Sequence, residues 1–329
     1  MRFTLSEDQH EIKRTAKDLL AARAGTAALR EHAEAATYDD ALWKELGELG
    51  WPGIAVSEEH GGQGLGLVEL CVLLEELGYA CAAVPFLGTA LAALALEQAG
   101  ETEWLPKLAT GEARGAFGAA GELIPDAPGA DVVVLVDEAG NGTLVEGSAV
   151  QAVDAIDSTR RYGRVEAGAQ GTPLGDVCAA LGRALVCVSA ELVGVGQRTL
   201  DMSVEYVKER KQFGVPVGTF QAVQHKAAQM LLDTEGGRSA TFAAAWTADA
   251  EPANLAAAAS AAKAWTSDRV RDVTASAIQL HGGIGFTWEA DVHWWFKRAQ
   301  LDAHFLGSGG HHRARVSELV AADRAGAAA

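Results

Sequence analysis

Glu209-Arg210-Lys211-Gln212-Phe213-Gly214-Val215-Pro216-Val217, followed at once by Gly218-Thr219-Phe220-Gln221, is the stretch from which the rest of the chain can be read. Ahead of it runs a helical pattern with apolar residues at Val188, Leu192, Val195, Val204 and Val207. Behind it a second helical pattern sets Ala222, Val223, Ala227, Met230 and Leu231 on one inner side. The stretch is therefore predicted as a tight helix-to-helix turn, with Gly214 relaxing the backbone and Pro216 barring helix continuation. It carries an arginine, an amide and an aromatic ring. Such a set can hold a phosphate by charge-assisted, bidentate hydrogen bonds and pack a flat ring beside it. The same residues also read as a basic, solvated helix end that complements the macrodipole.

Working outward, residues 173–329 read as helical throughout, with Pro173, Pro216 and Pro252 at helix boundaries. Helices are expected over roughly 174–211, 219–248, 252–281 and 289–325, joined by short links into a bundle. Residues 1–112 are also helical in pattern. Ser6 with Glu7 and Asp8 caps a first helix through Ile12, Ala16, Leu19 and Leu20. Leu42 to Leu49, Leu67 to Tyr79, Pro85 to Ala99 and Glu101 to Leu108 give further pieces. Gly61-Gly62-Gln63-Gly64-Leu65-Gly66 has no preceding strand and no GKS or GKT ending, so it is a turn and not a P-loop. Between residues 113 and 172 the period changes. Asp131-Val132-Val133-Val134-Leu135-Val136 is a β-branched run, and Gly140-Asn141-Gly142 turns it into Thr143-Leu144-Val145. Further strands are expected at Val150 to Val153 and around Tyr162 to Val165. The fold class is α+β, mostly α: a helical N-terminal domain (1–112), a reduced β domain (113–172) and a C-terminal four-helix bundle (173–329).

Composition narrows the function. The net charge of −17 argues against nucleic acid, which needs a basic face. No window reads as an uninterrupted membrane span. The opening Met1-Arg2-Phe3-Thr4-Leu5-Ser6 lacks the pattern of a secretory signal. Cys71, Cys81, Cys178 and Cys187 have no CxxC spacing and are expected as buried, reduced thiols of a cytoplasmic protein. His304, His311 and His312 have no carboxylate or cysteine partner nearby, so no metal site is expected.

A second glycine turn follows the third bundle helix: Gln279-Leu280-His281-Gly282-Gly283-Ile284-Gly285-Phe286-Thr287-Trp288. Paired glycines can admit a ligand close to backbone amides, or simply stop a helix. Trp288, Trp294, Trp295 and Phe296 read as core or subunit interface. Together these motifs resemble the acyl-CoA dehydrogenases, over nearly the whole chain. The resemblance rests on Trp51-Pro52-Gly53-Ile54 with Glu58 and Gly61-Gly62, on Leu105 to Glu112, on Glu209 to Gly214 with Phe220-Gln221, and on Gln279 to Phe286. It implies FAD as cofactor, with Arg210, Gln212, Phe213, Gln279, Gly282 and Gly283, and also Gln221 and His281, serving the ADP half of a flavin seated mainly in a neighbouring subunit.

The family reaction removes a proton alpha to a thioester and passes hydride from the beta carbon to the flavin, so it needs a carboxylate base. Most members carry that glutamate in Tyr-Glu-Gly-Thr before the last helix. Here the stretch is His304-Phe305-Leu306-Gly307-Ser308-Gly309-Gly310, with leucine in the glutamate's place. A minority carry the base early in the first bundle helix, a position that falls near Ala184. Asp176 and Glu191 flank that position about two turns away along a helix, and Asp268 and Asp302 read as surface charges. Nor does the β region, with Ala119-Ala120-Gly121-Glu122 and Pro125 to Gly129, match the family segments that touch the flavin ring.

The chain is similar, in its shortened β domain and its Leu306-Gly307-Ser308-Gly309-Gly310 ending, to the base-lacking short subunits of actinobacterial α2β2 enzymes acting on steroid side chains, with one FAD per heterodimer. That resemblance implies a non-catalytic role here. A partner subunit would carry the catalytic glutamate and most of the acyl-CoA site, with electron-transferring flavoprotein as acceptor. Two alternatives stand beside it: an active homotetramer using Asp176, Glu191 or Asp268 as base, and a flavin-free scaffold.

Overall fold

Ser6 holds its backbone extended, accepts the Gln9 amide on its hydroxyl and donates its own amide to Gln9 Oε1. This capping box starts α1 (Glu7–Arg23). The computed structural model describes residues 4–327; Met1 to Phe3, where a signal would begin, and the last two residues of the alanine-rich tail lie outside them. Four further helices follow: α2 (Thr26–Ala35), α3 (Asp40–Glu48), α4 (Leu67–Ala80) and α5 (Phe86–Ala99). α2 has no side-chain cap and was not expected. The helix expected from Glu101 shrinks to the single turn α6 (Leu105–Ala109). Glu101 instead accepts the amides of Glu103 and Trp104, an N-cap-like contact that holds the preceding loop.

The β region builds two small sheets. The first, in the order β1-β3-β4-β7, contains β1 (Gly115–Gly118), β3 (Val132–Val136), β4 (Asn141–Glu146) and β7 (Thr172–Asp176). The second, in the order β2-β6-β5, contains β2 (Ile124–Pro125), β5 (Gln151–Val153) and β6 (Tyr162–Arg164). The expected hairpin is present: Val134 faces Leu144, and the Asp137 carboxylate accepts the Asn141 amide at 2.8 Å to close the turn. β7 corrects the expected helix from residue 174. It lies at the sheet edge, where Pro173 can sit without a ladder donor, and it takes the β region on to Asp176.

The bundle is then α7 (Cys178–Glu209), the hairpin strands β8 (Lys211–Gln212) and β9 (Val215–Pro216), α8 (Gln221–Ala250), α9 (Leu255–His281), α10 (Val292–Asp302) and α11 (Gly309–Ala327). α4 crosses α7 so closely that Gly78 and Gly194 admit no side chain: a Cβ would lie 2.2 Å from the Glu191 carbonyl oxygen and 1.9 Å from the Glu75 carbonyl oxygen, respectively. α7 also corrects the membrane expectation, because it is long and apolar enough to cross a bilayer. However, 78% of its apolar window is buried in the protein, as suits the core helix of the bundle.

Several side chains differ from expectation. Leu231 and Leu232 are 48% and 63% exposed, and Ala222 is exposed too. The inner face of α8 keeps the expected Met230 and adds Asp233, Thr234, Gly237, Thr241 and Ala244, mostly small or hydroxyl residues that fit close against α7 and α9. Trp294 and Trp295, read as core or interface, are buried in the core of this chain. Cys178 is exposed at the start of α7, whereas the other three cysteines are buried.

The expected helix over 289–325 is broken between α10 and α11, where Leu306 takes a left-handed φ of 59° and Gly307 one of 106°. Lys263 secures the break. Its fully buried ammonium donates to the carbonyls of Asp302, Ala303 and Gly307, each at 3.1 Å, and to Ser267 Oγ at 2.8 Å. The carbonyls that α10 leaves unpaired at its end thus meet the Lys263 amino group, whose pKa burial lowers to about 7. His312 Nε2 lies 2.9 Å from the Leu306 carbonyl oxygen, to which it donates, and burial lowers this imidazole to about 4. The unfolded chain binds that proton near pH 6.5, so the stability contributed by neutral His312 is complete above about pH 6.5 and is lost as pH falls towards 4. His312→Asn should therefore lose less stability than the parent between pH 7 and 4.5 in thermal melts. Parallel pH curves would contradict this.

Candidate functional site

Two glycine turns meet at one end of the bundle. α7 ends at Glu209, and Arg210 turns extended, with φ −66° and ψ 122°. The next residues form a two-residue hairpin and not a bare helix-to-helix turn. Phe213 and Gly214 both take positive φ, 53° and 82°, at its tip, and Lys211 pairs with Pro216. Opposite, α9 ends at His281 and the chain enters a 3₁₀ turn, Gly282–Phe286. Between the turns lies a cavity of about 760 Å³, lined by Arg210, Gln212, Gln279, His281, Gly282 and Gly283 among others. Six of the eight sequence-predicted site residues thus share one cavity. The other two do not line it. Phe213 is 93% exposed at the hairpin tip, against the edge of Phe220 at 6.3 Å, and Gln221 is exposed at the first position of α8.

His281 is a satisfied histidine. Its Nδ1 lies 2.8 Å from the Ala277 carbonyl oxygen, and its ring stacks on Tyr206 at 4.6 Å and 21°. Burial lowers its pKa, so this wall of the cavity is a flat neutral surface. Gly282 has φ 65° and ψ −143°, a conformation open to glycine and costly for other residues. A Cβ on Gly282 or Gly283 would meet no atom within 4 Å, so packing does not require glycine at either position and space remains for a ligand to approach the backbone. Arg210 has no ion-pair partner among the described residues, in a chain of net charge −17. A cation, amides and accessible backbone around one cavity suit a phosphate group with a flat ring system. The structure therefore fits the ADP half of a dinucleotide. The lining residues that the sequence reading did not assign to the site include Tyr206, Lys226, Thr287 and Glu289. Lys226 had one available signal, since it lies four residues after Ala222 on the same helix face.

None of the carboxylates weighed as a base faces this cavity, where Glu289 is the acidic lining residue. Asp176 belongs to β7 and not to a helix, and it accepts the Cys178 amide at 2.8 Å. Asp268 pairs with Arg313. Glu191 and Asp302 are held in a buried cluster at the junction of α7, α10 and the segment before β6. There Arg298 meets Asp157 at 2.6 Å and Glu191 at 2.8 Å. Arg160 meets Glu191 at 2.5 Å, Asp302 at 3.2 Å and Asp126 at 3.3 Å. Asp302, read from sequence as a surface charge, is 1% exposed; burial, and then repulsion from Glu191, push it up to about 8. The two positions where relatives would carry a base are apolar: Ala184 is fully buried in α7, and Leu306 packs on the same core.

Residues 6–112 match the acyl-CoA dehydrogenase N-terminal domain, and residues 174–321 match the C-terminal domain. Over 307 residues the chain is 36% identical to the acyl-CoA dehydrogenase IpdE2 of Mycolicibacterium smegmatis, an alignment covering 92% of this chain and 96% of that relative. A solved chain described as a variant of the Tcur3481-Tcur3483 steroid ACAD superposes with a TM-score of 0.89 at 28% identity, covering 98% of this chain and all of that one. A chain of the ChsE4-ChsE5 complex from Mycobacterium tuberculosis does so with a TM-score of 0.88; at 24% identity it speaks to the fold, covering 98% of this chain and 99% of that one. Members of this family bind FAD. The two domain matches and the near full-length likeness to IpdE2 agree with the twin-turn architecture: this chain belongs to the acyl-CoA dehydrogenase family.

Proposed function

We propose that this chain is the non-catalytic subunit of a heteromeric, FAD-dependent acyl-CoA dehydrogenase, and that it lends contacts to the ADP half of a flavin whose ring lies in a partner subunit. The observation that carries this reading is an asymmetry. The cavity between the glycine turns keeps its cation, amides and open backbone, while both base positions are apolar and packed into the core. When bound, the flavin supplies hydride acceptance. On this reading Arg210 holds its pyrophosphate, Gln212 and Gln279 orient it, His281 with Tyr206 gives it a flat neutral wall, and Gly282 and Gly283 let it approach. Phe213 and Gln221, outside the cavity, reach towards the partner's part of the cofactor.

The partner supplies the glutamate and most of the thioester site, in an α2β2 assembly with electron-transferring flavoprotein as acceptor. The Tcur3481-Tcur3483 enzyme is described as a steroid ACAD, and we carry that class over to this chain: a bulky acyl-CoA, with a steroid side chain as substrate. We assign the chain to three domains, 1–112, 113–172 and 173–329, with β7 bridging the second and third. The test is Arg210→Ala in the complex purified with its partner. A lost charge-assisted phosphate contact costs about 1.5–3 kcal/mol, so flavin content should drop by roughly tenfold or more at limiting FAD. Unchanged content would leave the turns as structural features and favour a flavin-free scaffold.

A further inference from the structure

The cofactor reading uses Arg210 but leaves a second cation of the same cavity without a role. Lys226 lies on α8, in the second turn, and lines the cavity with Ala222 and Val223 from the first turn. The i to i+4 spacing from Ala222 aims it at the same side. Its side chain is half-buried and has neither an ion-pair partner nor a hydrogen-bond partner among the described residues. Other half-buried lysines with no anion partner among the described residues, Lys107 and Lys297, lie over tryptophan rings, whereas Lys226 lines the cavity. The half-buried Lys13 bridges Glu75 and Glu76 at 3.0 Å each, and the half-buried Arg238 pairs with Glu75 at 3.0 Å. An ammonium partly withdrawn from water and left unpaired loses hydration without compensation unless an anion arrives. Around this cavity the ionised groups are Arg210, Lys226 and Glu289, a net positive set in an acidic protein.

We infer that Lys226 is a second phosphate-holding residue, which grips the cofactor's pyrophosphate from α8 while Arg210 does so from the end of α7. Two cations on two separate elements match two phosphate groups, each ionised near neutral pH, and fix the cofactor along its length and not at one point. The inference rests on the reading that this cavity takes the ADP half of FAD, and the experiment separates the two.

The complex purified with its partner is diluted, and release of FAD is followed by the rise in free-flavin fluorescence at low and moderate salt. Lys226→Gln should speed release about tenfold and flatten its salt dependence, while Lys226→Arg stays near the parent rate. Because the side chain is half-exposed and bonded to nothing, the melting temperature of each variant should match the parent, which separates cofactor loss from unfolding. Release at the parent rate from Lys226→Gln, with Arg210→Ala still fast, would overturn the role of Lys226 alone. Release at the parent rate from both variants would overturn the cofactor reading itself.

Discussion

Arg298→Ala should destabilise the folded chain by about 3–5 kcal/mol, the range found when one member of a buried ion pair is removed. Arg298 is fully buried, and its guanidinium donates to Asp157 Oδ2, Glu191 Oε1 and Thr159 Oγ1. It ties α10 to α7 and to the segment before β6. Its loss leaves Arg160 to face Asp126, Glu191 and Asp302, and Asp157 without its ion-pair partner. The melting temperature should fall by on the order of 10 °C in a chain of this size. Lys44→Ala, which removes an exposed i,i+4 pair with Glu48, should shift it by about 1 °C or less. An unchanged melting temperature for Arg298→Ala would mean that water, and not the arginine, balances these carboxylates.

The second large effect concerns assembly. Phe286 is 85% exposed and Trp288 65% exposed, beside the cavity rim, with Phe213 at 93% on the facing hairpin. Large aromatic groups left in water around one site form the pattern of an interface anchor. Phe286→Asp should weaken association with the partner by about 2–4 kcal/mol, a loss of roughly 30- to 1,000-fold, seen as a shift from complex to free chain in size-exclusion chromatography. The melting temperature of the isolated chain should hardly move, because the ring makes little contact with its own fold. Trp294→Ala should do the reverse, since that ring is buried in the core. A Phe286→Asp chain that still elutes as intact complex would place the interface elsewhere.

The features legible in the sequence were those with local causes. Ser6 announces α1 because its capping partner is three residues away, and the valines of β3 with the Gly140 turn announce the hairpin. Two short motifs carry the eight proposed site residues, and the fold brings six of them to one cavity. What escaped depends on distance or on weak local signals. Asp302 looked like a surface charge because its partner Arg160 lies 142 residues away. Glu191 looked available because Arg298 lies 107 residues away. β1 is Gly-Ala-Phe-Gly, poor in strand formers; it needs a small residue where Gly115 meets Ala92, since a Cβ there would lie 2.7 Å from that methyl. Pro173 read as a helix boundary and proved to sit in an edge strand. Lys226 was not among the motif residues; its place in the cavity shows only when the two turns are seen facing each other.

Flavin stoichiometry tests the central claim most directly. Absorbance would be measured on this chain purified alone, and again after co-expression with the proposed acyl-CoA dehydrogenase partner subunit. The account predicts no bound flavin on the isolated chain and one FAD per heterodimer in the complex. One flavin per chain on the isolated protein would contradict it, and would return attention to a base among the carboxylates of this subunit.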